Sequence, residues 1–317
     1  MNGRFDVVCV GVAIVDSIIR GFDPEPVSAG GFRAASASLR VGGDAVNQAI
    51  AAAALGLRTR IVCALGQDDA GEMIAAALRR GGVDTGLVQY KKDAPTPVTT
   101  MFVRPDGSRR SVTTDSRTLG FHPERDPSFL HGAGALLLGS LFRTPFDDPA
   151  AILTLLRAAK AAGVPVYADT KLPNFRALTL SDLSEALPLI DCITPNEAEA
   201  AHYTGKTAPE DMAAEFLRFG VGSVIIKLGA QGCYYRDPTR ELRLPAFPIP
   251  AVDATGAGDN FIAGFVAERL RGADVPAALR FANACGAICT TGVGASSALK
   301  NRAQVLVFLA RHPENKK

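Results

Sequence analysis

The chain reads as a three-layer α/β protein, a mainly parallel central sheet with helices on both faces and a small β lid. Three observations predict this. Short apolar runs that do not alternate recur between helical patterns, as strands buried on both faces do. Helical stretches end at glycine and lead to the next apolar run, the rhythm of βαβ units. Two segments, 13–41 and 96–118, break that rhythm by alternating small, polar and apolar side chains, as a sheet with one open face does.

The elements follow in order. Asp6–Gly11 is expected as a buried strand, 45–55 as a small-residue helix stopped by Gly56, and 60–65 as a strand. A helix is expected over 71–80, ended by Gly81–Gly82, then a hairpin with strands 98–103 and 109–114 around Pro105-Asp106-Gly107-Ser108. Further strands are expected at 135–139, 165–169, 192–194 and 223–227, and further helices at 149–162, 197–203 and 275–289. The first irregular segment holds Pro24, Pro26, Gly30 and Gly31. Together the two irregular segments suit a lid or a partner surface, since unpaired sheet edges also invite dimerisation.

Composition excludes several classes. Lys plus Arg is 34 and Asp plus Glu is 32, so the net charge of +2 gives no reason to expect nucleic acid or membrane partners. The start, Met1 to Asp6, lacks the apolar core of a signal peptide, and no apolar run approaches the ~20 residues that span a bilayer. A cytoplasmic protein is expected. The closing Glu314-Asn315-Lys316-Lys317 is expected to fray. The six cysteines (Cys9, Cys63, Cys192, Cys233, Cys285, Cys289) are scattered through apolar segments without a C-x-x-C, so buried free thiols are expected. The four histidines have no partner at metal-ligand spacing and are expected on the surface or in loops.

The most informative run is Val252-Asp253-Ala254-Thr255-Gly256-Ala257-Gly258-Asp259-Asn260-Phe261. A strand over 244–252 is expected to feed it, and a helix with Phe261, Ile262, Phe265, Val266 and Leu270 on one side to follow. Gly256, Ala257 and Gly258 then lie at a helix N-terminus, where the first N–H groups lack partners and small side chains leave an anion site. Asp253 and Asp259 bracket it. An anion hole beside a carboxylate is what phosphoryl transfer to a hydroxyl needs, the donors holding phosphate charge and the Asp taking the hydroxyl proton. Asp in a first turn and Gly in a strand-to-helix turn also occur without any catalytic purpose.

Other segments point the same way with less force. Gly42-Gly43-Asp44-Ala45-Val46-Asn47 opens a helix, and a Gly pair with Asn47 on the first turn suits a polyol as well as it suits a tight turn. Asp16 follows the first strand, where open α/β sheets bind ligands, or caps a turn. Asn196 and Glu199 share a face at a helix start and fit a hydrated Mg²⁺ near phosphates, or a capping box. Lys227-Leu228-Gly229-Ala230-Gln231-Gly232 ends a strand with two turn glycines, which suits a nucleotide or a hairpin. Thr204-Gly205-Lys206-Thr207 is not a Walker A loop, because the required glycine falls at Ala200, and Gly11-Val12-Ala13-Ile14 lacks the second glycine of a dinucleotide fingerprint.

Taken together, these motifs resemble the ribokinase-like, or PfkB, carbohydrate kinases over nearly the whole chain. Gly42–Asn47, Gly66–Gly71, Gly82-Val83-Asp84, Asn196–Glu199, Lys227–Gly232, Asp253–Asp259, Asn283 and Gly294-Ala295 carry the resemblance by their order and spacing. It implies one ribokinase-like α/β domain over 1–317, with the lid segments 13–41 and 96–118 inserted, often dimeric through that lid. It implies ATP-dependent phosphorylation of a sugar or sugar acid, with Asp259 as base and Gly256, Ala257 and Gly258 as anion hole. Asp16, Gly42, Gly43, Asn47 and Asp253 contact the sugar. Asn196 and Glu199 order Mg²⁺, and Asn196, Lys227, Gly229, Gly232 and Asn283 lie along ATP. Many relatives hold a monovalent cation such as K⁺ near the residues matching Asp253, Thr255, Cys289 and Gly294.

The chain departs from the family pattern at Ala254, and at Asp169-Thr170-Lys171-Leu172-Pro173-Asn174-Phe175-Arg176, which replaces an Asp-x-Asn-x-Arg element of several relatives. It is similar to a branch of bacterial sugar kinases with Gly-Gly-Asp-Ala in the first motif. Alternatives are a nucleoside kinase of the same fold and a catalytically silent sugar-binding regulator. A further expectation is that the sugar carries an anionic group met by Arg33, Arg40, Arg117, Lys171 or Arg176, with Lys171 the best candidate.

Overall fold

A computed structural model describes residues 4–21, 33–106 and 108–313. Pro24, Pro26, Gly30, Gly31, Gly107 and the tail 314–317 lie outside the described residues. The first half of the chain gives β1 (Val7–Val10), β2 (Ile14–Arg20), β3 (Ser36–Gly42), α1 (Asp44–Ala54), β4 (Thr59–Val62), β5 (Ala64–Gly66), α2 (Asp69–Arg80), β6 (Gln89–Lys91), β7 (Val98–Val103) and β8 (Arg109–Thr113). The second half gives β9 (Leu136–Leu141), α3 (Pro149–Ala161), β10 (Val166–Thr170), β11 (Cys192–Ile193), α4 (Glu197–Thr204), α5 (Pro209–Arg218), β12 (Val224–Lys227), β13 (Cys233–Arg236), β14 (Glu241–Leu244), α6 (Ala257–Leu270), α7 (Val275–Thr290) and α8 (Arg302–Arg311).

The main sheet has the order β14-β13-β12-β11-β10-β9-β1-β4. Its strands from β12 to β4 are parallel, and β13 and β14 add antiparallel at one edge. Alternation along β1 divides the core. Val8 and Val10 pack with Ile152 and Leu155 of α3 and Phe216 of α5. Val7 and Cys9 pack with Ala45 and Ala49 of α1 and Ile262 and Val266 of α6. These are the two buried faces that the non-alternating runs predict. The chain leaves β1 toward β4 on one side and returns at β9 on the other, so the strand order reverses between β1 and β9. In open α/β sheets ligands bind at the carboxyl ends of the strands at such a switch point.

The irregular segments form a second sheet, β3-β2-β7-β8, in which β2 runs antiparallel to β3 and parallel to β7, and β7 antiparallel to β8. Three expectations change. The run 60–65 breaks at Cys63 into β4 and β5, and β5 leaves the main sheet to pair with β6. No strand covers 245–252, because Pro245, Pro248 and Pro250 offer no N–H to a ladder. Helix α6 is not one-sided: every residue from Asp259 to Glu268 is buried, since the helix lies beneath α1 and α7.

The six cysteines are free and buried, as expected. His202 lies on α4, exposed. The elements α5, α8, β13 and β14 were not anticipated by the sequence reading.

Candidate active site

Helix α6 starts at Gly256 in a left-handed conformation (φ 77°), and no side chain caps it. Asp259 follows in the first turn, buried. One carboxylate oxygen accepts from Asn47 Nδ2 at 2.9 Å, and the other from Gln48 Nε2 at 3.2 Å. Helix α1 thus fixes the orientation of a carboxylate 211 positions away in sequence. Gln48 is fully buried, and its Oε1 has no hydrogen-bond partner. The sequence reading missed Gln48; the available signal was a polar side chain within an alanine-rich helix.

The residues expected at the acceptor meet near the start of α1. Asp16 sits in mid-β2, opposite Arg40 and Thr99, rather than at the strand mouth. A Cβ at Gly42 would stand 2.2 Å from Asp16 Oδ2, so the absence of a side chain there makes room for that carboxylate. Gly43 precedes the first residue of α1. That residue, Asp44, accepts from Ser140 Oγ at 2.5 Å and lies 3.4 Å from Lys171 Nζ. Ser140, at φ 62°, is one of two non-glycine residues at positive φ among the described residues. The ends of β9 and β10 therefore meet the start of α1. Asp44 and Ser140 were not singled out from sequence, because only the sheet order makes them neighbours.

The nucleotide candidates form an adjoining group. Lys227 N donates to Pro195 O at 2.9 Å, which sets Asn196 beside Lys227. Lys227 Nζ lies 2.6 Å from Asp169 Oδ1 and would be 3.1 Å from a Cβ on Gly258, so its ammonium stands over the first turn of α6. Asn196 and Glu199 do form the capping box: Asn196 Oδ1 accepts from Glu199 N at 2.9 Å, and Glu199 Oε2 accepts from Asn196 N at 3.0 Å. Glu199 Oε2 also accepts from Thr170 Oγ1 at 2.9 Å. Gly229 and Gly232 lie in the tight turn of the β12–β13 hairpin. Asn283 Nδ2 donates to Pro245 O at 3.3 Å, beside that turn.

Asp253, Thr255, Cys289 and Gly294 converge as a third group. Asp253 Oδ1 accepts from Thr255 N and Oγ1, and Oδ2 accepts from Gly294 N at 3.1 Å. Cys289 Sγ lies 3.4 Å from Thr255 O. The Asp253 carboxylate therefore ties two loops together, and Arg20 of β2 approaches it at 3.9 Å.

Carboxylates of Asp44, Asp169 and Asp259 lie within 4.8 Å of one another. Such a cluster can draw a metal, but Lys171 and Lys227 already supply its positive charge. The charges of the cluster act on Asp259, Asp16, Lys227 and Glu199. Burial, with Asp44 and Asp169, pushes Asp259 up to about 8, against the pull of Lys171 and Asn47. Burial and Asp44 push Asp16 up to about 6. Burial disfavours the charge on Lys227, but Asp169 and Glu199 outweigh it and hold its pKa above the usual value. Glu199 is raised by burial and by Asp169. A buried carboxylate poised near neutrality, beside a helix start and a lysine, is an arrangement for taking up a proton next to an anion.

Fold and site together are those of a phosphotransferase acting on a sugar hydroxyl. The chain belongs to the pfkB family of carbohydrate kinases, whose model matches residues 5–302. Fructokinase-1 of Zea mays is 30% identical over 329 residues, covering 98% of this chain and 99% of the relative. Ribokinase of Haemophilus influenzae is 32% identical over 276 residues, covering 84% and 87%. Arabidopsis thaliana ribokinase, solved with ribose and ATP, superposes with a TM-score of 0.83 at 28% identity over 97% of this chain and 99% of that one. A structure from E. coli in complex with ATP and Mg²⁺ gives a TM-score of 0.80 at 26% identity over 97% and 100%. No helix among the described residues is long and apolar enough to cross a membrane.

Proposed function

We propose that this chain transfers the γ-phosphoryl group of ATP to a hydroxyl of a small carbohydrate, with Asp259 as general base. The observation that carries the reading is Asp259 itself, buried in the first turn of an uncapped helix with both oxygens held by amides. Gly256, Ala257 and Gly258 present backbone donors to the transferring phosphate, whose charge the helix start favours. Asp16, Gly42, Gly43 and Asn47 face the acceptor, and Asp259 receives its proton as the oxygen attacks. Asp253 supports this loop from behind, through Thr255 and Gly294. Lys227 follows the transferring charge, and Gly229, Gly232 and Asn283 border the nucleotide. The four-stranded sheet closes over the acceptor and excludes water.

Asn196 and Glu199 fit Mg²⁺ held through water: their carbonyl and carboxylate oxygens are hard donors, already engaged with backbone N–H groups. Mg²⁺ bound there neutralises phosphate charge. Exchange of Glu199 for Gln keeps the capping box. The variant is therefore expected to stay folded and to need several-fold more Mg²⁺ for half-maximal rate, measured by Mg²⁺ titration of the initial rate. An unchanged titration would reduce the pair to a cap.

The convergence of Asp253, Thr255, Cys289 and Gly294 supports a monovalent cation such as K⁺ beside the anion hole. Exposed Leu39 on β3 and Val112 on β8, the two edge strands of the small sheet, support a homodimer through that sheet. A cytosolic setting matches an enzyme that consumes ATP.

The pH profile tests the base. Because only ionised Asp259 accepts a proton, kcat/KM should fall as pH drops through about 8. Lys171 favours the ionised form, so Lys171→Met should move that fall to higher pH. A flat profile from about pH 6 to 9 contradicts a titrating base. ATP consumption against a panel of sugars and nucleosides separates a sugar kinase from a nucleoside kinase, and either from a silent binder.

A further inference from the structure

Three neighbouring strand ends bring Asp169, Thr194 and Lys227 side by side. In the parallel register Ala168 pairs with Ile193, and Ile193 with Val224, so the carboxyl ends of β10, β11 and β12 share one edge. Asp169 is buried, and its Oδ1 accepts from Lys227 Nζ at 2.6 Å, Thr194 Oγ1 at 3.2 Å and Thr170 N at 3.1 Å. A lysine head on a four-carbon stem is otherwise free to wander. Here 13% of the side chain is exposed and the ammonium is held in one place.

The arginines expected to meet an anionic sugar are engaged or exposed. Arg117 is bidentate on Asp115 and stacks on Phe175 at 4.0 Å. Arg40 lies with its Cδ 3.7 Å from where a Cβ of Gly294 would stand, and Arg33 and Arg176 are exposed. Arg20 approaches Asp253 at 3.9 Å, and Lys171 lies 3.4 Å from Asp44. Lys227 instead stands over the first turn of α6, where a Cβ on Gly258 would be 3.1 Å from its Nζ. Glu199 also attracts that ammonium and Lys171 repels it, and carboxylates of Asp44 and Asp259 lie within 4.8 Å of that of Asp169. Its direct ion pair is with Asp169. The helix start beneath it is uncapped and carries positive partial charge. Two fixed positive centres side by side suit one anion between them.

We infer that Asp169 is a positioning residue for phosphoryl transfer: it stations the Lys227 ammonium over the anion hole before ATP arrives. This rests on the kinase reading and deepens it. The threonines hold the carboxylate, the carboxylate holds the ammonium, and Gly258 leaves the room that the ammonium occupies. Charge that shifts onto the transferring oxygens then meets a donor that need not reorganise. A merely structural ion pair behaves differently. Such buried pairs add little net stability, and replacing both partners together often costs nothing.

The test is a double-mutant cycle on kcat and on thermal stability, with ATP, Mg²⁺ and the fastest acceptor of the sugar panel. Lys227→Met is expected to lower kcat by roughly 10²-fold, as loss of one preorganised donor does. Asp169→Asn should lower kcat by about tenfold or more with the KM of the sugar little changed. In the Lys227→Met background Asp169→Asn should change kcat by less than about twofold, because no ammonium is left to station. The double variant should melt near the wild-type temperature. If Asp169→Asn does not fold, Asp169→Glu takes its place in the cycle; it keeps the charge, displaces the ammonium and should show the same coupling. Losses in kcat that multiply across the two positions overturn the inference and leave the kinase reading intact, as does wild-type kcat in the Asp169 variant. A wild type that forms no sugar phosphate with any acceptor removes the kinase reading and this inference together.

Discussion

Exchange of Asp259 for Asn is expected to lower kcat by roughly 10²- to 10⁴-fold, the contribution of a positioned general base. Asn is close in size, and Asn47 and Gln48 remain to hold one of its polar atoms, so the first turn of α6 should persist. The hydrogen bonds of the Asp259 carboxylate go to Asn47 and Gln48 and the ion pair of Lys227 goes to Asp169, so ATP binding should be little changed. Steady-state kinetics and ATP titration by calorimetry check the two halves. A variant with near-normal kcat removes Asp259 from the base role, and one that loses ATP affinity in parallel shows a structural rather than a chemical effect.

The second large effect is expected at the anion hole. Gly256 adopts φ 77°, and a Cβ there would stand 2.6 Å from Ala295 Cα and 2.2 Å from Ala295 Cβ. Backbone cannot give way as a flexible side chain can, so Gly256→Ala must move the helix start. Displacing one anion-hole donor costs about 3–4 kcal/mol of transition-state stabilisation, so kcat should fall by roughly 10²- to 10³-fold. Stability should drop by about 1 kcal/mol for the left-handed backbone alone. Gly258 provides the internal comparison. An added Cβ there meets only the end of Lys227 at 3.1 Å, so Gly258→Ala should be mild. Gly258→Val, which crowds the ammonium further, should cost a few kcal/mol in the barrier while the protein stays folded. Stopped-flow or steady-state rates alongside thermal melts separate loss of transfer from loss of fold. Equal, near-wild-type turnover in Gly256→Ala and Gly258→Val would place the phosphate elsewhere.

Much of this was legible in the amino-acid sequence, and the rest was not for identifiable reasons. Strands β1, β9 and β10 announce themselves because burial on both faces leaves uninterrupted apolar runs. The start of α6 is legible because Gly256 to Asp259 combine turn chemistry with carboxylates. The Asn196–Glu199 capping box is legible because it is local, and the structure contains it.

The strand expected over 244–252 failed where its prolines already argued against it. The β5–β6 pairing was invisible because it joins segments 25 positions apart, Ala64 with Gln89. The Asp44–Ser140–Lys171 group was invisible for the same reason on a larger scale: three element ends meet only once the order β10-β9-β1 is known. Sequence showed a lysine at a strand end; the structure adds the carboxylate that faces it.

The most direct test of the account is product analysis by phosphorus NMR after incubating the protein with ATP, Mg²⁺ and a panel of neutral sugars. The account predicts a sugar-phosphate resonance whose growth matches ADP formation, appears only with an acceptor sugar, and is suppressed in Asp259→Asn. ADP accompanied by inorganic phosphate alone, whatever sugar is present, would contradict it.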